Sequence, residues 1–125
     1  MIFDTDVMIW AFRGNRKALK AIDDADARAV SCVTYMELLQ GVRNKDEMRE
    51  MKKFLSRLVF VTLPITANVS NRAVAIMEET ALKSDLGVCD ALIFATACET
   101  GDTLLSGNKK HFKEVSLLNA VEFRP

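Results

Sequence analysis

The sequence has no net charge, few prolines and no long apolar run, and each of these absences excludes a class of protein. Among its 125 residues, 17 are basic and 17 are acidic, unlike a strongly basic protein that bulk electrostatics holds on nucleic acid. The longest uncharged apolar run, residues 58–65, is far shorter than the roughly 20 residues that span a bilayer. We therefore expect only local basic patches, and no membrane insertion.

Cysteine is also scarce, and its placement excludes two further classes. Cys32, Cys89 and Cys98 are an odd number of thiols in apolar segments, without the close Cys/His pairing of zinc sites. Asp4 comes too early for a signal peptide to precede it. We expect reduced thiols and a cytoplasmic location. With two prolines and no Gly/Ser linker, the length predicts a single domain over residues 1–125.

Short apolar runs alternate with longer segments of helical periodicity. The pattern predicts strands at residues 1–3, 28–33, 59–63, 103–105 and 121–123. It predicts helices at residues 7–12, 17–24, 34–42, 45–58, 67–82, 90–99 and around 111–112. Long helical crossovers between strands favour an α/β fold, a three-layer α/β/α sandwich with a mostly parallel sheet. The β-branched run at 59–63 is expected to be buried on both faces of that sheet.

Polar side chains lie where several of these strands end. Asp4 follows the first strand directly, Glu37 lies one helical turn after the second, Asp90 opens a helix, and Ser106 and Asn108 follow the fourth strand. The carboxyl ends of parallel strands meet at one edge, where ligands bind in such sheets. Carboxylates gathered there repel one another unless a hard divalent cation neutralises them, which predicts Mg²⁺ or Mn²⁺.

Each of these residues also has a purely structural explanation. Asp4 would serve as a turn residue after a strand. Glu37 lies three residues after Thr34, the spacing of a capping box. Asp90 would be the N-cap of its helix, and Asn108 would cap a helix or form a turn. The joint placement of all four at one sheet edge favours a functional site.

Four segments carry a resemblance to a known family. They are residues 2–9 (IFDTDVMI), 31–41 (SCVTYMELLQG), 89–97 (CDALIFATA) and 105–112 (LSGNKKHF). In this order and together, they resemble the PIN-domain ribonucleases, specifically the VapC-type toxins of toxin-antitoxin pairs. The resemblance implies one PIN-like nuclease domain over residues 1–125. It also implies a metal-dependent endoribonuclease that hydrolyses RNA phosphodiester bonds.

The resemblance assigns a role to each candidate residue. Asp4 and Asp90 are expected to bind the metal, and Glu37 to bind it or to hold a water on it. Asn108 stands at the family's fourth acidic position, and Ser106 is expected to orient a carboxylate or the scissile phosphate. The family more often has Asn or Ser at Asp6, and a basic residue at Gly107.

Basic residues near these motifs are candidates for contacts with an RNA backbone: Arg13, Arg16, Lys17, Arg43, Lys109 and Lys110. For each of them, a solvated surface position is the alternative interpretation. His111 is the single histidine. A structural role near Phe112 is favoured for it, because metal-assisted hydrolysis does not require a histidine.

Two other functions remain open. One is a catalytically weak or inactive PIN-like module that binds RNA or protein, favoured by the neutral Asn108 and Gly107. The other is a phosphatase of the haloacid dehalogenase type, favoured by Asp4 and Asp6 after the first strand. That family also requires a lysine and a late acidic pair, whereas the pair Asp23-Asp24 comes too early.

The resemblance further implies a protein partner, a cognate antitoxin, and a homodimer. Apolar side chains near the first two motifs exceed what one helix on a sheet usually buries: Val7, Ile9, Trp10, Leu38, Leu39, Met48, Met51 and Phe54. Some of them are therefore expected to be exposed and to bind another chain. An antitoxin segment in a groove beside the acids would compete with RNA.

Overall fold

The computed structural model describes all of residues 1–125, which form five short strands and seven helices. The strands are β1 (Ile2–Phe3), β2 (Ala29–Ser31), β3 (Val61–Leu63), β4 (Leu104–Ser106) and β5 (Ala120–Glu122). The helices are α1 (Thr5–Phe12), α2 (Arg16–Asp24), α3 (Cys32–Gln40), α4 (Lys45–Arg57), α5 (Ala67–Thr80), α6 (Val88–Thr100) and α7 (Lys109–Phe112).

The five strands form one sheet in which every pair is parallel. Their order is β3-β2-β1-β4-β5, and the all-parallel pairing confirms the predicted α/β/α fold. The chain moves from β1 outward to β2 and β3, then returns to the other side of β1 to form β4. This reversal places a crevice between the carboxyl ends of β1 and β4, the position where open α/β sheets bind ligands.

Successive side chains of β1 and β4 point to opposite faces of the sheet, so the core consists of two apolar layers. Ile2 and Leu104 face the layer formed with α5 and α6, whereas Phe3 and Leu105 face the layer formed with α1, α2 and α4. The register pairs Ile2 with Leu104 and Phe3 with Leu105, so each layer meets a continuous row of side chains. Both faces of β1 are therefore covered by helices.

One sequence expectation about a strand is wrong. The run at 59–63 was expected to be buried on both faces, but β3 lies at the edge of the sheet. Val59 is 74% exposed and Val61 is 56% exposed. A run of β-branched residues indicates a strand, but it does not report how many neighbours the strand has.

Four elements begin or end at residues other than the predicted ones. Strand β2 ends at Ser31 and α3 begins at Cys32, two residues before the predicted start at Thr34. Helix α1 begins directly after Asp4, and α6 begins two residues before Asp90. None of the helices is long and apolar enough to cross a membrane.

The ends of α3 and α6 offer a matched test of backbone conformation. Gly101 ends α6 with φ of 71°, whereas Gly41 ends α3 with φ of −83°. A side chain in the left-handed region costs about 1–2 kcal/mol, so Gly101→Ala should lower the free energy of unfolding by about that amount. Gly41→Ala, which meets only ordinary contacts, should be neutral or slightly stabilising. Urea unfolding of both variants would measure this, and equal effects would contradict it.

Candidate active site

Asp4 is the buried centre of the candidate site. It is only 5% exposed, and its backbone N–H donates to Leu105 across the β1–β4 pair. Its side chain accepts from the Thr5 N–H at 2.7 Å and from the Ser106 hydroxyl at 2.5 Å. Burial raises the pKa of Asp4 to about 7, although the Ser106 hydrogen bond opposes the shift. Asp4 therefore lies where a carboxylate is costly without a compensating cation.

Two further carboxylates lie close enough to repel Asp4. The charges of Asp6 and Asp90 both contribute to its raised pKa, after the effect of burial. The pKa of Asp6 is itself raised, mainly by burial and in smaller part by Asp90. The three acids come from the end of β1, the first turn of α1 and the first turn of α6. The sheet edge thus gathers negative charge from separate parts of the chain.

The turn between β4 and α7 donates to each of these acids in succession. The Ser106 hydroxyl donates to Asp4 Oδ2, the Gly107 N–H donates to Asp6 Oδ2 at 2.9 Å, and the Asn108 amide donates to Asp90 Oδ2 at 3.4 Å. Ser106 Oγ also accepts from the Asn108 N–H at 3.0 Å. The predicted residues Asp4, Asp90, Ser106 and Asn108 are therefore linked in one hydrogen-bonded network.

Glu37 joins the site through Thr5 rather than through another carboxylate. Thr5 Oγ1 lies 2.7 Å from Glu37 Oε1 and 3.0 Å from Thr34 Oγ1. A carboxylate only accepts, so the single Thr5 hydroxyl proton goes to Glu37, and Thr34 is left to donate to Thr5. Glu37 is thereby held beside the residue that follows Asp4.

Two of the structural alternatives do not apply to these acids. The N-cap of α3 is Ser31, whose side chain accepts from the Val33 N–H, so Glu37 does not belong to a capping box with Thr34. The N-cap of α6 is Gly87, so Asp90 is not a cap either. Asp4 does cap α1 through Oδ1, while its Oδ2 accepts from Ser106.

Asn108 occupies the cap position of the short helix α7, but its side chain makes no capping hydrogen bond. Its amide instead reaches Asp90. An Asx side chain at a helix start normally bonds its own helix, so this orientation favours a role at the site over a role in the turn.

His111 lies beside the site, a position that sequence reasoning did not assign to it. Its Nε2 is 2.7 Å from Asp85 Oδ1, and its Nδ1 is 3.8 Å from Asp90 Oδ2. His111 and Lys110 together lower the pKa of Asp85 to about 2. The ring thus lies between Asp85, to which it is hydrogen-bonded, and Asp90, which it approaches without a hydrogen bond.

Three of the candidate RNA-binding cations are engaged with acids. Arg43 pairs with Glu47, Lys109 with Glu122, and Lys110 with Asp85. Arg13, Arg16 and Lys17, at the end of α1 and the start of α2, make no ion pair and are exposed. The candidate cations that make no ion pair therefore lie together at the end of α1 and the start of α2.

The donor chemistry of the site fits a hard divalent cation. Mg²⁺ and Mn²⁺ prefer carboxylate oxygen, and Mg²⁺ retains several waters rather than requiring a protein cage. No group of three or more His, Cys, Asp or Glu side chains is arranged as a ready-made metal cage. Asp4 and Asp90 nevertheless supply charges that a cation would neutralise, and the raised pKa of Asp4 shows how unfavourable that charge is alone.

Sequence reasoning missed the roles of Thr5, Asp6, Gly107 and His111. The available signals were Asp6 and Gly107, which depart from the family pattern at positions that the structure brings into contact. No signal in the sequence linked Thr5 to Glu37, because the contact joins residues 32 positions apart.

The acids lie at the carboxyl ends of β1 and β4, where the strand order of the parallel sheet reverses. This position is where open α/β proteins bind their ligands. A family model described as PIN domain matches residues 1–118. The chain therefore belongs to the PIN-domain family. This assignment displaces the haloacid dehalogenase interpretation. No curated protein sequence matches the chain.

Solved structures with the same fold cover nearly the whole chain. VapBC2 from Rickettsia felis, bound to a DNA fragment from its promoter, is 21% identical, with a TM-score of 0.82 over 99% of this chain and 100% of that one. A toxin-antitoxin complex from Klebsiella pneumoniae is 28% identical, with a TM-score of 0.77 and 98% of both chains covered. VapBC-1 from nontypeable Haemophilus influenzae is 20% identical, with a TM-score of 0.80 and 98% of both chains covered.

The raised pKa of Asp4 predicts how stability depends on pH in the absence of divalent cations. Asp4 titrates near 3.8 when unfolded and near 7 when folded. Between these values the folded chain binds more protons, so its free energy of unfolding falls as pH rises. Asp4→Asn removes the buried charge and should stabilise the chain at pH 8 by on the order of 2–4 kcal/mol.

Urea unfolding in EDTA from pH 4 to pH 8 would measure this difference, which should shrink toward pH 4. Asp46→Asn, which removes an exposed acid on α4, controls for the loss of a charge as such. A difference between Asp4→Asn and wild type that is independent of pH would contradict the prediction.

Proposed function

We propose that this chain is a Mg²⁺- or Mn²⁺-dependent endoribonuclease that acts as the toxin of a toxin-antitoxin pair. The observation that carries the proposal is the network joining Asp4 and Asp90 through Ser106 and Asn108 in a PIN-domain chain. Solved structures of similar fold include toxin-antitoxin complexes, which favours the toxin assignment.

In this proposal Asp4 and Asp90 bind the cation, and Glu37 completes the negative site from the α3 side. When bound, the cation would supply Lewis acidity and neutralise charge on the scissile phosphate. The Thr5 N–H holds Asp4 Oδ1, Ser106 holds Asp4 Oδ2, and Asn108 holds Asp90 Oδ2. Each of these oxygens keeps a second lone pair with which it would bind a cation. Thr5 holds Glu37 in the same way.

Substrate binding would depend on the cations near α1 and α2. Arg13, Arg16 and Lys17 are exposed and unpaired, and phosphate contacts from such side chains position a nucleic acid without reading its sequence. With a formal net charge of zero, the chain would rely on this local patch rather than on its overall charge.

An apolar groove beside the acids is the proposed seat of the antitoxin. It lies between α1, α3 and α4 and has an apolar lining of Ile9, Phe12, Val42 and Phe54. The charged side chains of Arg13 and Glu37 also line it. Because Glu37 lines both the groove and the candidate site, a segment bound there would obstruct RNA. Charges of both signs at the groove suit a segment that is apolar with charged ends.

Some of the apolar side chains that were candidates for exposure are exposed, and others are buried. Val7, Leu38 and Met51 are buried, whereas Trp10 and Met48 are each 39% exposed. Exposed aromatic and methionine side chains are typical of surfaces that bind another chain. We propose that these residues contribute to a homodimer or to antitoxin binding.

A PIN-like module that binds without cutting is the second candidate. It is favoured by Gly107, which brings no cation to the site, and by Asn108, which brings no charge. Against it, a chain without catalysis gains nothing from burying Asp4 near two other acids, a placement that raises its pKa to about 7.

Cleavage of single-stranded RNA distinguishes the two candidates. The nuclease hypothesis predicts cleavage with Mg²⁺ or Mn²⁺ and none in excess EDTA. Asp90→Asn should lower the rate by about a hundredfold or more, and Ser106→Ala by about tenfold or more, because it frees Asp4. Asp102→Asn, an exposed acid before β4 at the opposite edge, should cut like wild type. Cleavage that persists in EDTA would reject metal catalysis.

The groove predicts where an antitoxin binds. Val42→Lys places a charge in the apolar lining and should weaken binding of the antitoxin encoded beside this chain's gene by about tenfold or more. Val74→Lys, at a 57% exposed position on α5, is the control and should bind normally. Calorimetry would measure both affinities, and equal affinities for the two variants would place the antitoxin elsewhere.

A further inference from the structure

Asp6 is held by two backbone amides from distant parts of the chain. Its Oδ1 accepts from the Val7 N–H at 2.8 Å, in the first turn of α1. Its Oδ2 accepts from the Gly107 N–H at 2.9 Å, 101 residues later in the sequence. Both carboxylate oxygens are therefore committed to fixed donors, and the side chain ties α1 to the turn that follows β4.

Only glycine permits this contact at position 107. Gly107 does not have a positive φ, so backbone conformation is not what requires it. A Cβ built on Gly107 would collide with Asp6 Oδ2. The missing side chain thus allows close approach of the carboxylate to the amide, one of the two uses of glycine at such positions.

The amide of Gly107 lies between two side-chain donors of the site. Ser106 before it donates to Asp4, and Asn108 after it donates to Asp90. A backbone group has no rotamers of its own, so anchoring the middle residue restricts where the two flanking side chains can point. Release of the Gly107 amide would let Ser106 and Asn108 move together.

We propose that Asp6, paired with Gly107, is a positioning residue that sets the divalent-cation affinity of the site by holding the 106–108 turn. The inference rests on the proposed function, because it concerns the same Asp4 and Asp90. It assigns Asp6 an action through Ser106 and Asn108. Residues that orient metal ligands in this way typically change metal affinity by about 10- to 100-fold when altered.

The test uses Mn²⁺ alone as the probe, with its affinity measured by calorimetry on the full chain. Gly107→Ala forces Asp6 away from the amide and should weaken Mn²⁺ binding by about tenfold or more. Asp6→Ser removes the carboxylate that the added methyl group meets. In the Asp6→Ser background, Gly107→Ala should therefore change the affinity by less than about threefold.

Thermal unfolding of every variant would check that each is folded. If Gly107→Ala alone does not fold, Asp6→Ser carries the test, because it also releases the Gly107 amide and should weaken Mn²⁺ binding by about tenfold. Wild-type affinity in Asp6→Ser would then overturn the inference. Gly41→Ala, a glycine with room for a methyl group, is the control for the substitution itself and should bind Mn²⁺ like wild type.

Asp90→Asn separates the inference from the proposed function. If Asp90→Asn loses Mn²⁺ binding while Gly107→Ala binds like wild type, the inference is overturned and the proposed metal site stands. Equal weakening by Gly107→Ala in both the Asp6 and the Asp6→Ser backgrounds would also overturn it. If wild type and Asp90→Asn bind Mn²⁺ alike, or neither binds, the proposed metal site fails and the inference fails with it.

Discussion

Burial of a carboxylate beside other acids is the constraint on which the rest of this site depends. Burial raises the pKa of Asp4 to about 7, and the charges of Asp6 and Asp90 add to this shift in smaller part. Hydrogen bonds from Thr5 and Ser106 offset part of that cost, because charge-assisted bonds to a carboxylate are among the stronger ones in proteins. What the donors leave uncompensated is negative charge, and a divalent cation is the ligand that this charge would bind most favourably.

The scaffold around this charge is small. Strand β1 has only two residues, yet it is the central strand, and both of its side chains are fully buried. Covering both faces with helices excludes water from the strand and fixes the point at which Asp4 leaves it. The same arrangement explains why Ser106, the last residue of β4, reaches Asp4. Strand β4 is the direct neighbour of β1, and the register that pairs Phe3 with Leu105 places Asp4 level with Ser106.

Asp6 and Gly107 show how two departures from a family pattern are explained by one contact. Considered singly, an extra acid adds repulsion to an acidic site, and a missing cation removes a contact for an anionic ligand. In the structure the acid accepts from the amide of the glycine, and a side chain at Gly107 would collide with it. The contact therefore requires both residues. Without the Asp6 carboxylate the Gly107 N–H loses its acceptor, and a side chain at position 107 would displace that carboxylate.

The sequence by itself determined the α/β class, the parallel sheet and the strand ends that carry Asp4, Ser106 and Asn108, because periodicity and turn residues act over a few neighbouring positions. It did not determine that β3 is an edge strand, that α3 begins at Cys32, or that Thr5 holds Glu37. Those features depend on which segments become neighbours after folding. The contact between Asp6 and Gly107 spans 101 residues, and only the pairing of β1 with β4 brings these two residues together.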